Sequence, residues 1–275
     1  MLTDIHQLKQ LNILVIGDSC TDIYNYGTCD RISPEAPVPI LKIHKTESKP
    51  GMASNVQVAL ERLGNKTQII TNLEKITKER YVCNKSMQHV LRVDRGESVA
   101  MKPLKLASVD LSDYDCLVIS DYNKGFLPSE LCKQLVHYAL SQNKQVFVDS
   151  KKNDLSCFDG CFIKINKSEY ENATCLPKNS EIIVTLGPDG ARYNNKIYST
   201  NKTEVFDVCG AGDTFMSAFV THYMSFQDMS KAIDFANKAK IMRSCRNGFR
   251  TSSGTSNWTM LRTPSNWSSS ILSSI

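Results

Sequence analysis

A glycine-rich turn followed at once by an acid is the stretch of this 275-residue sequence best suited to chemistry: DVCGAGDTF, residues 207–215. Apolar residues recur behind the turn at helical spacing, namely Phe215, Ala218, Phe219, Tyr223 and Phe226. This period predicts a largely buried helix over residues 214–226. The free N–H groups at its start then point outward with the positive end of the helix dipole, at Gly210, Ala211, Gly212 and Asp213. Because glycine lets backbone approach a phosphate closely, the pattern predicts an anion hole.

Asp213 lies at the helix end that would hold this anion, yet its own side chain is negative. The helix field keeps the carboxylate ionised, so Asp213 would repel a phosphate. It can instead accept the proton of a hydroxyl group that attacks a phosphate held beside it, which makes it a candidate general base for phosphoryl transfer. The alternative is that Asp213 only caps the helix. From the residue types alone, both interpretations stay open.

Short apolar strands alternate with helical patterns along the chain. The candidate strands are NILVIGD (residues 12–18), TQII, CLVISD, QVFVD, CFIKIN and EIIVTLG, and the candidate helices include ASNVQVALERLG (53–64) and PSELCKQLVHYALSQN. This alternation predicts an α/β fold with a doubly wound, mainly parallel sheet and helices on both faces. Ligands of such sheets gather at the carboxyl ends of the strands. Polar residues and a glycine follow those ends here: Asp18, Asp121, Asp149, Asn166 and Gly187.

Residues 27–50 do not fit the alternation. Pro34, Pro37 and Pro39 come before an alternating stretch over residues 40–44, and proline confines a strand to a sheet edge. We therefore expect one or two edge strands outside the main sheet, forming a small β lid over the site. Two such lids could pair in a homodimer. A plain surface excursion is the alternative interpretation.

Charge and composition exclude several classes of partner. Lys and Arg number 33 against 28 Asp and Glu, a net charge of +5; no basic block occurs, so nucleic acid is not an expected partner. No apolar run approaches the length of a membrane span, and the first residues do not resemble a signal peptide, so a cytoplasmic protein without a membrane partner is expected. The ten cysteines lie singly along the chain, which favours buried reduced thiols over disulfides or a metal site.

Two stretches are similar to the signatures of a known family. DVCGAGDTF resembles the C-terminal signature of the ribokinase-like (PfkB) carbohydrate kinases, and KPGMASNVQVALERLG resembles their N-terminal signature. Further blocks resemble one branch, the bacterial heptose-7-phosphate kinases of lipopolysaccharide core synthesis: GDSCTDIYNYGTCDRISPEAPVPILKI, HVLRVDRGE, ISDYNKGFL and VDSKKNDLSCFDG. The resemblance covers residues 12–237. It implies an ATP-dependent sugar kinase that acts on the anomeric hydroxyl of a heptose 7-phosphate.

The resemblance also implies roles for matching positions. Asp213 would be the general base, and the turn of Gly210, Ala211 and Gly212 would be the anion hole. The sugar phosphate would contact Asp18, Asp22, Gly51, Met52, Asn55, Asp121, Tyr122, Lys124 and Lys151. The nucleotide would contact Asn166, Glu169, Thr185, Gly187, Gly190 and Asn237. Glu169, in an NxxE motif, would act through bound water on Mg²⁺, the implied cofactor, with ATP as co-substrate.

Three features depart from the family pattern. Met52 stands where the N-terminal signature has its second glycine, and its side chain could crowd the sugar or change specificity. The chain passes almost at once from Asn72 into the next strand-like stretch, so a peripheral layer of the sheet is expected to be missing. Residues 251–275 are Ser-rich and favour disorder, which leaves residues 1–250 as the expected kinase domain.

These departures leave the function partly open. A kinase of another sugar or sugar phosphate is one alternative, and a non-catalytic remnant that binds sugar or nucleotide is another. Kinases of this branch are often fused to a nucleotidylyltransferase. The sequence contains no HxGH-type nucleotidyl motif, so only the kinase activity is expected.

Overall fold

The computed structural model describes residues 7–200 and 210–246, with side chains to residue 241. In these residues the strands are β1 (Asn12–Gly17), β2 (Ser19–Ile32), β3 (Pro39–Met52), β4 (Lys66–Thr71), β5 (Thr77–Cys83), β6 (His89–Arg95), β7 (Cys116–Asp121), β8 (Gln145–Ser150), β9 (Phe162–Asn166), β10 (Glu181–Thr185), β11 (Ala191–Tyr193) and β12 (Lys196–Tyr198). The helices are α1 (Ala53–Arg62), α2 (Ser129–Ser141), α3 (Lys167–Asn172), α4 (Ala211–Phe226) and α5 (Met229–Arg246). Residues 207–209 of the glycine-rich motif and the Ser-rich tail at 251–275 lie outside the described residues.

The main sheet has the strand order β12-β11-β10-β9-β8-β7-β1-β4. The strands from β10 to β4 pair in parallel, while β11 and β12 add an antiparallel edge. β7 is buried at every residue and β1 at every residue but its first. Continuous burial is what a parallel strand covered on both faces requires, and it explains the unbroken apolar runs of the sequence. The predicted α/β fold is confirmed.

Helices cover both faces of this sheet. Along β1, Leu14 and Ile16 pack into a core that includes Leu135 of α2. The alternate residues Ile13 and Val15 pack into a second core built from α1, α4 and α5. Successive side chains of a strand point to opposite faces, so one short strand supplies both cores.

A second sheet has the order β3-β2-β5-β6. β2 and β3 form a long antiparallel hairpin, with Ile32 paired to Pro39 at its tip and Ser19 paired to Met52 at its base. β3 is an edge strand, which agrees with its proline at position 39. The sheet is larger than the one or two edge strands predicted from residues 40–44, because β2 extends it to Ser19 and because β5 and β6 join it.

The chain crosses from the main sheet to the second sheet between β1 and β2, just after Gly17, and again after β4. A Cβ atom at Gly17 would lie 1.9 Å from the carbonyl oxygen of Ser120, so only glycine allows β1 and β7 to approach there. β4 is the edge strand of the main sheet, and residues 72–76 lead from it directly into β5.

Among the described helices, none has the length and apolar character needed to cross a membrane.

Candidate active site

A pocket of about 340 Å³ opens at the carboxyl ends of the central strands, against the start of α4. Its lining combines strand-end side chains with the glycine turn: Tyr122, Asp149, Lys151, Lys164, Asn166, Thr185, Gly187, Gly210, Gly212, Asp213 and Lys240. The carboxyl ends of parallel strands are the usual ligand sites of such folds. The pocket therefore brings together the glycine-rich motif and three of the five predicted strand-end residues, Asp149, Asn166 and Gly187, whereas Asp18 and Asp121 are not in its lining.

The turn before α4 requires its glycines for two different reasons. Gly210 has a left-handed backbone with φ 70°, a conformation that glycine adopts without strain. A Cβ atom at Gly212 would come 3.0 Å from Nζ of Lys164, so glycine leaves that ammonium close to the helix start. The free N–H groups of the first turn and this buried cation together make a site for negative charge.

Asp213 is the third residue of α4 and only 6% exposed. Nδ2 of Asn55, from α1, donates a hydrogen bond to its Oδ2. The hydroxyl of Tyr122, just after β7, donates to its Oδ1 at 3.4 Å. Burial and the Asp213 carboxylate raise the pKa of Tyr122 well above its ordinary value. Tyr122 is therefore a protonated donor, and the carboxylate is held between side chains from two other elements.

The helix-capping interpretation of Asp213 does not match this placement. Gly210 is the N-cap residue of α4, and it has no side-chain capping bond. The Asp213 carboxylate instead accepts hydrogen bonds from outside its helix. Its first-turn position places its negative charge at the favourable, positive end of the helix dipole.

A buried ionic array underlies the pocket. Nζ of Lys164, which is 4% exposed, contacts Asp149 at the end of β8. Lys151 contacts the same carboxylate at 3.4 Å and also contacts Glu169. Although burial opposes ionisation, Lys164 and Lys151 hold the pKa of Asp149 below its ordinary value. Burial likewise opposes the charged lysine, but Asp149 and Glu169 raise the pKa of Lys151 to about 12. Asp149 and Lys151 are therefore both charged near neutral pH.

The NxxE motif forms a capping box on α3. Oδ1 of Asn166 accepts the N–H of Glu169 at 2.9 Å, and Oε2 of Glu169 accepts the N–H of Asn166 at 2.8 Å. This explains the spacing of the motif in structural terms. The other oxygen of Glu169 accepts from Lys151, so its half-buried carboxylate lies beside the pocket.

The described residues contain no group of three His, Cys, Asp or Glu side chains that could cage a metal ion. Mg²⁺ commonly keeps several waters and needs one or two carboxylates when phosphates complete its shell. Glu169 lies beside the pocket lining and fits that role, and the side-chain oxygen of Asn166 would supply a second oxygen ligand.

The nucleotide-side residues divide into two groups. Thr185 and Gly187 line the pocket, and Nζ of Lys240 donates to the Gly187 carbonyl at 2.8 Å. Gly190 and Asn237 are not in the lining. A Cβ atom at Gly190 would lie 2.0 Å from the carbonyl oxygen of Tyr198, and Asn237 donates to that same oxygen at 2.8 Å. Both residues therefore hold β12 in place.

On the sugar side, Asp18 is fully buried at the end of β1. Its Oδ2 accepts the backbone N–H of Tyr122 at 2.8 Å, and its Oδ1 has no hydrogen-bond partner among the described residues. Burial and the neighbouring Asp121 raise the pKa of Asp18. A buried oxygen without a hydrogen bond lowers the stability of the fold. A sugar hydroxyl is a suitable donor for this oxygen.

The resemblance implies that Asp121 contacts the sugar phosphate, but Asp121 is not in the pocket lining. It is fully buried, with Oδ2 accepting from Lys152 Nζ at 2.7 Å and from the Ser150 hydroxyl at 2.6 Å, and Oδ1 accepting the N–H of Asn123 at 2.9 Å. With both oxygens used by neighbours, Asp121 ties the ends of β7 and β8 together.

Gly51 and Met52 connect the second sheet to α1. A Cβ atom at Gly51 would lie 2.7 Å from Oδ2 of Asp22, so glycine makes room for that carboxylate. Met52 has φ 55° and ψ −131° and is 4% exposed. A non-glycine residue in this region is strained, and the buried side chain holds it there.

Cationic side chains of the second sheet face the sugar-side residues. Arg80 contacts Asp22 at 2.6 Å. Glu97 binds both Lys78 and Lys124, the latter at 2.6 Å. Asp22 pairs with Lys78 in the strand register, and Arg80 lies two residues further along β5, so these three side chains share one face.

Sequence reasoning missed Lys164, Lys240, Lys78 and Arg80. Lys164 interrupts the apolar run FIKIN of β9, and a single charge within a buried strand is a signal for a paired or functional group. The other three carry no comparable local signal, because their positions follow from the packing of distant elements.

Comparison with known proteins agrees with this geometry. Residues 69–248 match the pattern of the pfkB family carbohydrate kinase. The bifunctional protein HldE of Helicobacter hepaticus is 32% identical, covering 84% of this chain and 60% of that protein, and HldE of Campylobacter curvus is 29% identical, covering 84% and 61%. The chain thus spans about 60% of the length of these relatives.

Solved structures of low identity share the fold. The tetrameric inhibited form of phosphofructokinase-2 from Escherichia coli has a TM-score of 0.67 at 16% identity, covering 86% of this chain and 95% of that one. Arabidopsis thaliana ribokinase, complexed with ribose and ATP, has a TM-score of 0.60 at 13% identity, covering 84% and 92%. The family match covers well over half of the chain, and the site is built at the strand ends and glycine turn that carry the family signatures. The chain belongs to the pfkB family of carbohydrate kinases.

Proposed function

We propose that this carbohydrate kinase transfers the γ-phosphoryl group of ATP to the anomeric hydroxyl of a heptose 7-phosphate, with Asp213 as general base. The observation that carries the proposal is the position of the Asp213 carboxylate. It is aimed by Asn55 and Tyr122 and lies at the glycine-turn start of α4. Base and anion site are adjacent, as in-line phosphoryl transfer requires.

In this mechanism the sugar hydroxyl gives its proton to Asp213 as its oxygen attacks the γ-phosphorus. Tyr122 and Asn55 orient the carboxylate, and the N–H groups of the α4 turn stabilise negative charge on the transferred group. ADP then leaves with the electron pair of the broken P–O bond. Such electrostatic positioning supplies most of the catalysis in phosphoryl transfer.

The cations of the pocket support ATP as the phosphoryl donor. Lys151, Lys164 and Lys240 line it, and Asp149 and Glu169 hold Lys151 in its charged form. Mg²⁺ brought with ATP would neutralise phosphate charge, with Glu169 the carboxylate suited to bind its waters. The three lysines would bind and orient the triphosphate.

A phosphorylated sugar is favoured over a neutral one by cations of the second sheet and of the loop after β7. Lys78 and Arg80 of β5 and Lys124 after β7 bring three cations to the sugar side, where they pair with Asp22, Asp94 and Glu97. Arginine and lysine bind phosphate through charge-assisted hydrogen bonds. The heptose assignment itself rests on the sequence blocks that resemble heptose-7-phosphate kinases and on the similarity to HldE proteins.

One observation favours a second candidate, a kinase of another sugar phosphate. Met52 places a buried side chain beside Gly51, where the family pattern has glycine. A side chain there could change the shape of the sugar site. The substrate screen below distinguishes the two candidates.

The lid and the dimer belong to the same proposal. We infer that residues 27–50 cover the bound sugar and that second sheets of two copies pair. Exposed apolar residues of this sheet support the pairing: Ile32 at 62%, Ile43 at 48% and Leu91 at 55%. Sedimentation of wild type and Ile43→Glu would test it, and a monomeric wild type would contradict it.

A coupled ADP-release assay tests the function. Heptose 7-phosphate, other sugar phosphates and unphosphorylated sugars would be compared at fixed ATP-Mg²⁺. We expect the highest kcat/KM with heptose 7-phosphate. Turnover by Asp213→Asn should be lower by about 10² to 10⁴, while Asp234→Asn, at an exposed acid of α5, should behave as wild type. A higher kcat/KM with a different sugar phosphate would support the second candidate, and ATP binding without turnover on any acceptor would support a non-catalytic protein.

A further inference from the structure

The loop between β7 and α2, residues 122–127, carries two groups of the candidate site. The Tyr122 hydroxyl donates to Oδ1 of Asp213 at 3.4 Å, and Nζ of Lys124 contacts Glu97 at 2.6 Å. Whatever fixes the path of this β7–α2 loop therefore also fixes where these two side chains reach.

Lys152 lies beside this loop as a buried cation. Its side chain is 7% exposed, and its Nζ donates to Oδ2 of Asp121 at 2.7 Å and to the Leu127 carbonyl at 2.8 Å. A longer contact of 3.5 Å reaches Oδ1 of Asn123. An ammonium group has three donors, and here they reach the residue before the loop, its second residue and its last residue. One side chain thus spans the whole loop.

Asp121 completes this support. Its Oδ1 accepts the N–H of Asn123 at 2.9 Å, a residue with a left-handed backbone at φ 55°. Its own carbonyl accepts the N–H of Lys151 at 2.9 Å. Because Asp121 is fully buried, its charge requires a cation at this place, and Lys152 supplies it.

A second attachment of the loop comes from Asp18. Oδ2 of Asp18 accepts the N–H of Tyr122 at 2.8 Å, and it lies 3.5 Å from the backbone nitrogen of Lys124. The β7–α2 loop is therefore attached to the end of β1 through Asp18 and to the end of β8 through Lys152.

The two adjacent lysines after β8 have different surroundings. Lys151 lines the pocket and contacts Asp149 and Glu169. Lys152 is buried, and its ammonium group donates to the protein itself. Lys152 can therefore act on the reaction only through the residues that it holds.

We propose that Lys152 is a positioning residue of the phosphoryl transfer, which fixes the β7–α2 loop so that the Tyr122 hydroxyl points at Asp213. The inference rests on the proposed role of Asp213 as general base. Tyr122 and Asn55 hold the two oxygens of that carboxylate, so a displaced Tyr122 would loosen its orientation. A misaligned general base slows the chemical step, whereas ATP binding does not depend on it.

A double-mutant cycle of kcat tests whether Lys152 acts through Tyr122. Tyr122→Phe removes the hydroxyl and should lower kcat by about 10-fold or more, the effect of a hydrogen bond to a charged group. Lys152→Met should lower kcat similarly, and in the Tyr122→Phe background it should cause little further loss. Calorimetric ATP affinity should be the same in all three variants. Losses of kcat that multiply in full would overturn the proposal.

Two further variants separate positioning from stability. Lys144→Met removes the hydrogen bond of 2.6 Å from Nζ to the Tyr114 carbonyl, which ties the start of β8 to the segment before β7. It should lower stability and leave kcat unchanged. The double variant Asp121→Asn/Lys152→Met removes both buried charges, so its folding does not depend on an unpaired carboxylate. Its kcat should stay as low as that of Lys152→Met, and a wild-type kcat would overturn the proposal.

Hydrogen exchange followed by mass spectrometry reports on the loop without any turnover. In Lys152→Met, a peptide containing residues 121–127 should exchange about 10-fold faster than in wild type, whereas in Lys144→Met it should exchange at the wild-type rate. Unchanged exchange of this peptide in Lys152→Met would overturn the proposal. Wild-type turnover by Asp213→Asn would instead contradict the proposed base, which keeps the two failures distinguishable.

Discussion

The main sheet and the second sheet hold their charges in different ways. In the main sheet, Lys164 and Asp149 form a pair whose side chains are 5% and 3% exposed. In and beside the second sheet, Glu97 is 26% exposed and is shared between Lys78 and Lys124, which are 11% and 26% exposed, and Asp22 is 20% exposed where it meets Arg80, which is 9% exposed. The first pair is sealed from solvent, whereas the acids of the second group are partly exposed to it.

In the proposed mechanism the two groups of charges have different tasks. Charges in a dry, rigid environment need no reorganisation when a phosphoryl group passes through, so they would stabilise the transition state efficiently. Ion pairs whose acids are partly exposed exchange partners at lower cost, because water competes for the acid. We therefore expect Arg80 and Lys124 to release Asp22 and Glu97 when a sugar phosphate binds, while Lys164 and Asp149 stay paired.

Two carboxyl groups at strand ends of the main sheet differ in the same way, according to the charges beside them. Both Asp18 and Asp149 are buried. Burial and Asp121 raise the pKa of Asp18, whereas Lys164 and Lys151 lower that of Asp149. The nearest charges, and not burial alone, decide in which direction the pKa of each carboxyl shifts.

The largest expected effect is at the start of α4. Asp213→Asn preserves the size of the side chain and one of its two acceptor oxygens, but it cannot accept a proton. We expect kcat to fall by about 10² to 10⁴, or roughly 3–5 kcal/mol of barrier. ATP affinity should be equal or tighter, because a negative charge near the phosphates is removed. Steady-state kinetics and calorimetric ATP titration measure the two quantities; turnover close to wild type would exclude Asp213 as the base.

The next effect concerns the buried pair of the main sheet. Lys164→Met leaves Asp149 with Lys151 as its remaining cation and should lower the free energy of unfolding by about 3 kcal/mol. Lys167→Met, at an exposed residue of α3, is the matched control and should change it by less than about 0.5 kcal/mol. Urea unfolding measures both, and equal values for the two variants would contradict the comparison.

The pH dependence of this variant follows from the lowered pKa of Asp149. A carboxyl whose folded pKa is depressed contributes its full stability above its unfolded pKa of about 4, and the contribution is lost as pH falls through the folded value. The difference between wild type and Lys164→Met should therefore shrink below about pH 4.

A smaller effect is expected in the second sheet. Arg80→Met should raise KM for the sugar phosphate by about 10- to 100-fold, which corresponds to a charge-assisted hydrogen bond of about 1.5–3 kcal/mol. Calorimetry should find ATP affinity unchanged. Arg95→Met, at a 63% exposed side chain of β6, should leave KM unaltered. If Arg80→Met changes kcat and leaves KM intact, the phosphate-binding role is wrong.

The smallest expected effect lies at the joint between the two sheets. Met52→Ala and Met52→Gly both remove a buried side chain, but only glycine relieves the strain at φ 55°. The free energy of unfolding of the glycine variant should therefore be about 1–2 kcal/mol higher than that of the alanine variant. Thermal or urea unfolding tests this, and an alanine variant as stable as the glycine variant would show that the backbone there is unstrained.

Local sequence was sufficient for the main parallel sheet and for the helix that carries Asp213. The 3.6-residue period behind Gly212 predicts α4, and Phe215 and Phe219 are buried as that period requires. Apolar runs ending in Asp18 or Asp149 predict parallel strands whose polar ends meet at one edge. These inferences succeed because they depend only on near neighbours in the chain.

Tertiary structure alone decided which side chains pair. The strand order places β8 beside both β7 and β9, and packing in three dimensions then gives Asp121 to Lys152 and Asp149 to Lys164. The same packing brings Arg80 of β5 to Asp22 of β2, 58 residues apart in sequence. The sequence shows that a charged side chain will need a partner if it is buried. Strand order and register determine which partner lies within reach.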